Sequence, residues 1–153
     1  MTIQEIIEKS KPYYNAIGPH NVLYEWCKIN KDLDKIYPYY NITDNTYGLN
    51  IKNSTRHFAG GALGNKFYGE DLTRKLGVKK EKFDENKNKF NKKQNLEKIQ
   101  HFELDKNIDF LNNERGIEFT KQNPHVTRQE IYHKAIKNAI NNYAKDYTNN
   151  SLK

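Results

Sequence analysis

Residues 127–143 read TRQEIYHKAIKNAINNY, and this stretch decides the fold class. Thr127 and Glu130 stand three positions apart ahead of an apolar run, which is the spacing of a helix-capping box. Ile131, Ala135, Ile136, Ala139, Ile140 and Tyr143 then recur every three or four residues. That period puts them on one stripe of a helix running from 128 to about 145. Pro124 stops the helix before it.

Working outward, the same period recurs and strand-like alternation is scarce. The spacing predicts helices over 107–121, 78–90 and 70–76, with Gly77 separating the last two. A further helix over 53–68 is capped by Asn53 or Ser54 and broken by Gly69. Val22, Leu23, Trp26, Cys27 and Ile29 predict a helix over 20–30, after the turn signal Gly18-Pro19. Ile3, Ile6 and Ile7 predict a first helix over 2–9, ended by Pro12. Residues 36–52, with Pro38, Gly48 and several Tyr, read as a loop or short hairpin. Residues 86–98 read as an exposed, polar helix end and loop. The expectation is a mainly α chain of about six helices in one compact domain, 1–147, with a frayed tail over 148–153.

Composition agrees with a packed domain. The 153 residues are 35% hydrophobic with a mean hydropathy of -1.06, but they include 11 Tyr, 7 Phe and 1 Trp. Aromatic rings bury large areas, so a core is attainable. No run approaches the roughly 20 apolar residues of a membrane span. Residues 1–10 lack the apolar centre of a signal peptide, so the chain is expected to be cytoplasmic where it is made, with export that needs no cleavable signal left open. The lone Cys27 allows no internal disulfide and reads as a core cysteine. The net charge of +7 rests on Lys, with Arg confined to positions 56, 74, 115 and 128. Arg is the usual reader of phosphate and base edges, so this balance argues less for nucleic acid than the charge alone does. No phosphate loop, nucleophile elbow or His-Glu-x-x-His helix is present.

One helix is odd for a solvated surface. Gly60, Gly61 and Gly64 each cost about 1 kcal/mol relative to Ala inside a helix. His57 shares their face at i, i+3/i+4, i+7. The expected compensation is close approach of a neighbouring helix over a glycine-lined face headed by His57. Glu81 and Asp84 share a second face, and Asp109, Asn112/Asn113 and Gly116 a third. Three helices aiming polar faces at one point would form either an acid–imidazole site for general acid/base work or a hydrogen-bonded staple. The same His57, Glu81 and Asp109 carry donor atoms suited to a divalent metal ion. The remaining histidines read otherwise: His20 as a turn or cap residue, His101, His125 and His133 as surface. The Tyr pairs 13–14 and 39–40 read as core or interface packing.

The ordered set Arg56-His57, Gly69, Lys80-Glu81-x-x-Asp84 and Asp109-x-x-Asn112-Asn113-x-x-Gly116 resembles bacterial domains of unknown function in phage-associated and polymorphic-toxin proteins. It is similar, more loosely, to VanZ-like envelope proteins, without their apolar membrane helices. The likeness spans about residues 53–120, and differs at Asn53, where Asp is usual, and at Lys80, where His is common. It implies a site at His57, Glu81, Asp109 and Asn113. The functional expectation is an effector-type hydrolase acting on cell-envelope material, by family analogy. In it His57 is the base or a metal ligand, Glu81 the partner acid or ligand, and Asp109 orients His57 or binds metal. Asn113 positions substrate, and Arg56 neutralises an anionic group. An envelope substrate or an immunity protein would be the partner. The alternatives are a non-enzymatic binding or accessory module of a phage or mobile element, and a basic nucleic-acid-binding protein using 79–98, where eight Lys face Glu81, Asp84, Glu85 and Glu97.

Lys87, Lys89, Lys92 and Lys93 lie in a run with no apolar stripe. Replacing any one by Ala should change unfolding free energy by less than about 1 kcal/mol in urea titrations.

Overall fold

In the computed structural model, which describes residues 19–78 and 96–149, α1 spans Pro19–Ile36. Ile29, Leu33 and Ile36 form the buried i, i+4, i+7 edge of α1. A 3-10 turn, Tyr37–Tyr40, follows and ends at Asn41, whose φ of 57° stops it.

Helix α2, Thr46–Tyr68, starts earlier than the sequence suggests. Its cap is Asn45, whose side chain accepts from the Gly48 N–H at 2.7 Å. Residues 46–52, expected as loop or hairpin, are therefore helical, and Asn53 and Ser54 lie inside the helix rather than at its cap. Gly69, with φ of 85°, closes α2, and α3 runs over 70–78. Helix α4, Leu96–Gln122, extends well before the expected 107. Helix α5, Arg128–Ala144, begins as the capping box predicts: Thr127 Oγ1 accepts from the Glu130 N–H at 3.2 Å. A π-helical turn, Lys145–Asn149, continues it. That turn is anchored, since Asp146 is buried and Tyr147 stacks on Tyr143. Residues 150–153 of the expected frayed tail lie outside the described residues, as do the helix expected over 2–9, residues 79–90 of the helix expected over 78–90, Tyr13, Tyr14, and Lys87, Lys89, Lys92 and Lys93. Gly77, expected to separate two helices, lies inside α3.

The described residues thus form five α-helices and no strand, a mainly α single domain. None of those helices is long and apolar enough to cross a membrane. Helix α2 is the centre, with α4 and α5 its most extensive neighbours. Contacts between α2 and α4 rise together in number, Asn53 with Asp109 and Asn65 with Thr120, so the two helices run parallel. Helix α5 runs the other way along α2: Lys66 Nζ donates to the Val126 carbonyl, while Ser54 meets Tyr147. The core between them holds Ile51, Phe58, Ala62, Ile131, Tyr132 and Ile136, with α1 adding Ile29 and Leu33.

Glycine sets the spacing of α2 and α4. A Cβ on Gly61 would lie 2.2 Å from the Asn113 carbonyl oxygen, and one on Gly116 would lie 2.1 Å from that of Phe58. Both obstacles are backbone and cannot swing away. Gly60 differs: its Cβ would sit 3.6 Å from the Trp26 ring, an ordinary contact. Gly61→Ala and Gly116→Ala should each cost at least about 3 kcal/mol or prevent folding, because overpacking here must move a helix. Gly60→Ala should be neutral or gain up to about 1 kcal/mol from helix propensity. Urea unfolding of the three variants checks the contrast.

Candidate functional site

The polar residues flanking the glycine contact face each other along the α2–α4 seam. His57 Nδ1 lies 3.0 Å from Asn113 Oδ1. The Asp109 carboxylate faces the other ring nitrogen, with Oδ2 at 3.4 Å from Nε2, an ion-pair distance. Asn53 Nδ2 donates to Asp109 Oδ1 at 2.7 Å, and Arg56 Nη2 donates to Asn53 Oδ1 at 3.4 Å. A connected chain therefore runs Arg56, Asn53, Asp109, His57, Asn113. His57 exposes 4% of its surface and Asp109 8%. The Trp26 ring of α1 approaches the imidazole edge-on, with centroids 6.3 Å apart. From α3, Gly77 abuts the Asn113 amide closely enough that a Cβ there would stand 3.0 Å from Nδ2.

Of the residues singled out from sequence, the structure brings together His57, Asp109 and Asn113, although 52 positions separate His57 from Asp109. Arg56 joins through Asn53. Glu81, Lys80 and Asp84 lie outside the described residues. A divalent ion would draw on His57 Nε2 and Asp109, and its third expected ligand is Glu81. Among the described residues no group of three His, Cys, Asp or Glu side chains has metal-holding spacing.

Asn53 was missed as a site residue because it read as a helix cap. With α2 starting at Thr46, Asn53 stands four residues before His57 and shares its face. Asn112, expected beside Asn113, turns the other way. It is fully buried, donates to the Ile108 carbonyl at 3.0 Å, and its Oδ1 accepts from Arg115 and Asn138 at 3.3 Å each. Arg115 also grips Asp146 with two nitrogens, at 2.6 and 3.0 Å. His125 is exposed as expected. His133 is not a free surface residue: it is half-buried, with Nδ1 at 2.6 Å from the Tyr40 hydroxyl. Cys27 is half-buried rather than a core residue.

Several phenols are buried in or beside this packing. Burial raises Tyr37 above the ordinary tyrosine range, with Arg56 opposing. Burial likewise raises Tyr132, whose hydroxyl donates to Asp32 at 2.8 Å, with Arg128 opposing. Tyr147 is raised by burial first; the Ser54 hydrogen bond opposes, and Asp105, Asp109 and Asp146 add to the rise.

No family model, curated protein or solved structure matches this chain.

The three raised phenols give a signed prediction. Each holds its proton more tightly folded than unfolded, where the value is 10.0. Their contribution to stability is complete below pH 10, and is lost as pH rises from there through the folded values. Alkaline unfolding should therefore be cooperative, with tyrosinate absorbance from these residues rising together with loss of helix. Tyr37→Phe and Tyr147→Phe should each flatten the fall in stability above pH 10. An unchanged slope in both would contradict the assignment.

Proposed function

We propose that this chain is a non-enzymatic helical binding or accessory module of a phage or mobile element; its Arg-His and Asp-x-x-Asn-Asn-x-x-Gly motifs resemble domains of unknown function in phage-associated and polymorphic-toxin proteins. The observation that carries the reading is the state of His57. Asn113 occupies one ring nitrogen, the Asp109 carboxylate faces the other, and the residue is 4% exposed. A general base has to reach the proton it takes, within about 3 Å or through one water. A His held in this way serves better as a polar lock between α2 and α4.

One observation favours the hydrolase reading as a second. Asp109 is oriented by Asn53 and faces an imidazole, which is also how an acid orients a catalytic histidine. The envelope substrate expected from sequence belongs to that reading.

His57→Ala and Asp109→Asn separate the two. A lock predicts that each loses about 1–3 kcal/mol of unfolding free energy in urea, since each leaves buried polar partners unmatched. It also predicts no hydrolysis of peptidoglycan or lipid-linked precursors by the unaltered protein. Hydrolysis that Asp109→Asn abolishes at unchanged stability would establish the enzyme instead.

A further inference from the structure

The outer face of α5 stands out among the charged surfaces of the described residues. Most cations elsewhere meet carboxylates: Lys28 with Asp32, Lys52 with Asp44, Arg74 with Glu114, Lys121 with Glu70, Arg115 with Asp146 and Arg128 with Glu25. Lys31, Lys35 and Lys75 form no such pair, but acids lie beside them in their own helices, Asp32 and Asp34 in α1 and Asp71 in α3. On α5 and the turn that continues it, Lys134, Lys137 and Lys145 are exposed, and among the described residues no carboxylate lies within ion-pair distance of any of them. Lys134 rests its ammonium over the Phe119 ring, 5.8 Å from the centroid, which holds the stem without neutralising the charge. Asn141, also exposed, completes a run at i, i+3, i+7, i+11 from Lys134. These four share one helical stripe about 16 Å long at 1.5 Å per residue. The one acid within α5 is Glu130, a turn before Lys134 and bound by the Thr127 hydroxyl at 3.0 Å, and Asp146, in the π-helical turn beyond, is buried against Arg115.

We infer that this stripe is a docking face for the phosphate backbone of a nucleic-acid duplex, bound without sequence preference. The inference rests on the binding-module reading and supplies its partner class. The charge sign requires a polyanion, and the chemistry of the face selects among polyanions. An interfacial helix must press apolar side chains into lipid. Ile131, Ala135, Ile136 and Ala139 of α5 are already buried in the protein core, and the stripe itself offers Lys and Asn. A protein partner would need an apolar or aromatic centre with few lysines, and the stripe has the reverse composition. Phosphate needs neither. Lysine is a mobile point charge without the fork that reads base edges, so the contact follows the backbone and not the sequence.

The test is fluorescence anisotropy with a mixed-sequence DNA duplex and the matching RNA duplex, from low to moderate salt. The unaltered protein should bind both at low salt, with affinity falling steeply as salt rises. The variant K134Q/K137Q/K145Q should bind at least about tenfold more weakly at low salt, and its log–log salt slope should be shallower by about 2–3, the release expected for three phosphate contacts. K31Q/K35Q, on α1, should change affinity by less than about threefold. All the altered side chains are exposed, so circular dichroism should show both variants folded. The inference is overturned if the unaltered protein fails to bind either duplex at low salt, if the α5 variant binds as tightly as the unaltered protein, or if vesicles of phosphatidylserine and phosphatidylcholine retain the protein when duplex does not. Those outcomes leave the lock reading of His57 to be judged on its own stability measurements.

Discussion

The close approach of α2 and α4 at Gly61 and Gly116 is the constraint on which the rest of the structure depends. Each glycine leaves room where the other helix places a backbone carbonyl, Asn113 for Gly61 and Phe58 for Gly116. Helices this close exclude water from the seam. Polar side chains beside it must then satisfy one another, because an unmet buried donor or acceptor costs roughly 1–3 kcal/mol. Asn53, His57 and Asn65 of α2 do so with Asp109, Asn113 and Thr120 of α4. The glycines create the seam, and the polar ladder fixes its register: sliding one helix by a turn would separate the Asp109 carboxylate from both Asn53 and His57. A polar network used in this way specifies one arrangement more than it adds stability.

That division of labour suits a chain with 35% hydrophobic residues. Small residues at the centre of α2, Ala59, Gly61 and Ala62, let neighbouring helices approach, and a few large side chains such as Phe58 and Tyr132 fill the remaining core. Half-buried ion pairs then hold the two ends of α5, Arg128 to Glu25 of α1 and Asp146 to Arg115 of α4. Glu25 and Asp146 are both taken up by arginines in these pairs, and neither neutralises the lysines on the outer face of α5.

Legibility in the sequence followed the strength of local signals. Helix α5 was readable because its cap and its apolar stripe agree. The close approach was readable because glycines clustered in one helical segment need a structural reason, although Gly61 alone of the three meets α4, Gly64 meets Thr73 of α3 and Gly60 is in ordinary contact with Trp26; the meeting of His57 with Asp109 and Asn113 followed from shared faces. The start of α2 was not readable. Asn45, Thr46, Tyr47 and Gly48 look like turn residues, and only the Asn45 side chain folded onto the Gly48 N–H shows them to be a helix entrance. That error concealed Asn53, which moved from cap to site once the helix was extended. The early turns of α4 were hidden for a different reason: the Lys/Asn/Gln-rich run 86–98 reads as loop, and Ile99, Phe102 and Leu104 are a short apolar signal to set against it.

Proton placement on His57 ties the seam to its neighbours. A carboxylate facing Nε2 favours a proton on that nitrogen. If Asn113 presents Oδ1 to Nδ1, as it stands, Nδ1 must also donate and the ring is an imidazolium balanced by Asp109. If the ring is neutral, Nδ1 accepts, and the Asn113 amide must turn to offer its N–H. The two states differ by a half-turn of one side-chain amide whose other face lies against Gly77 of α3.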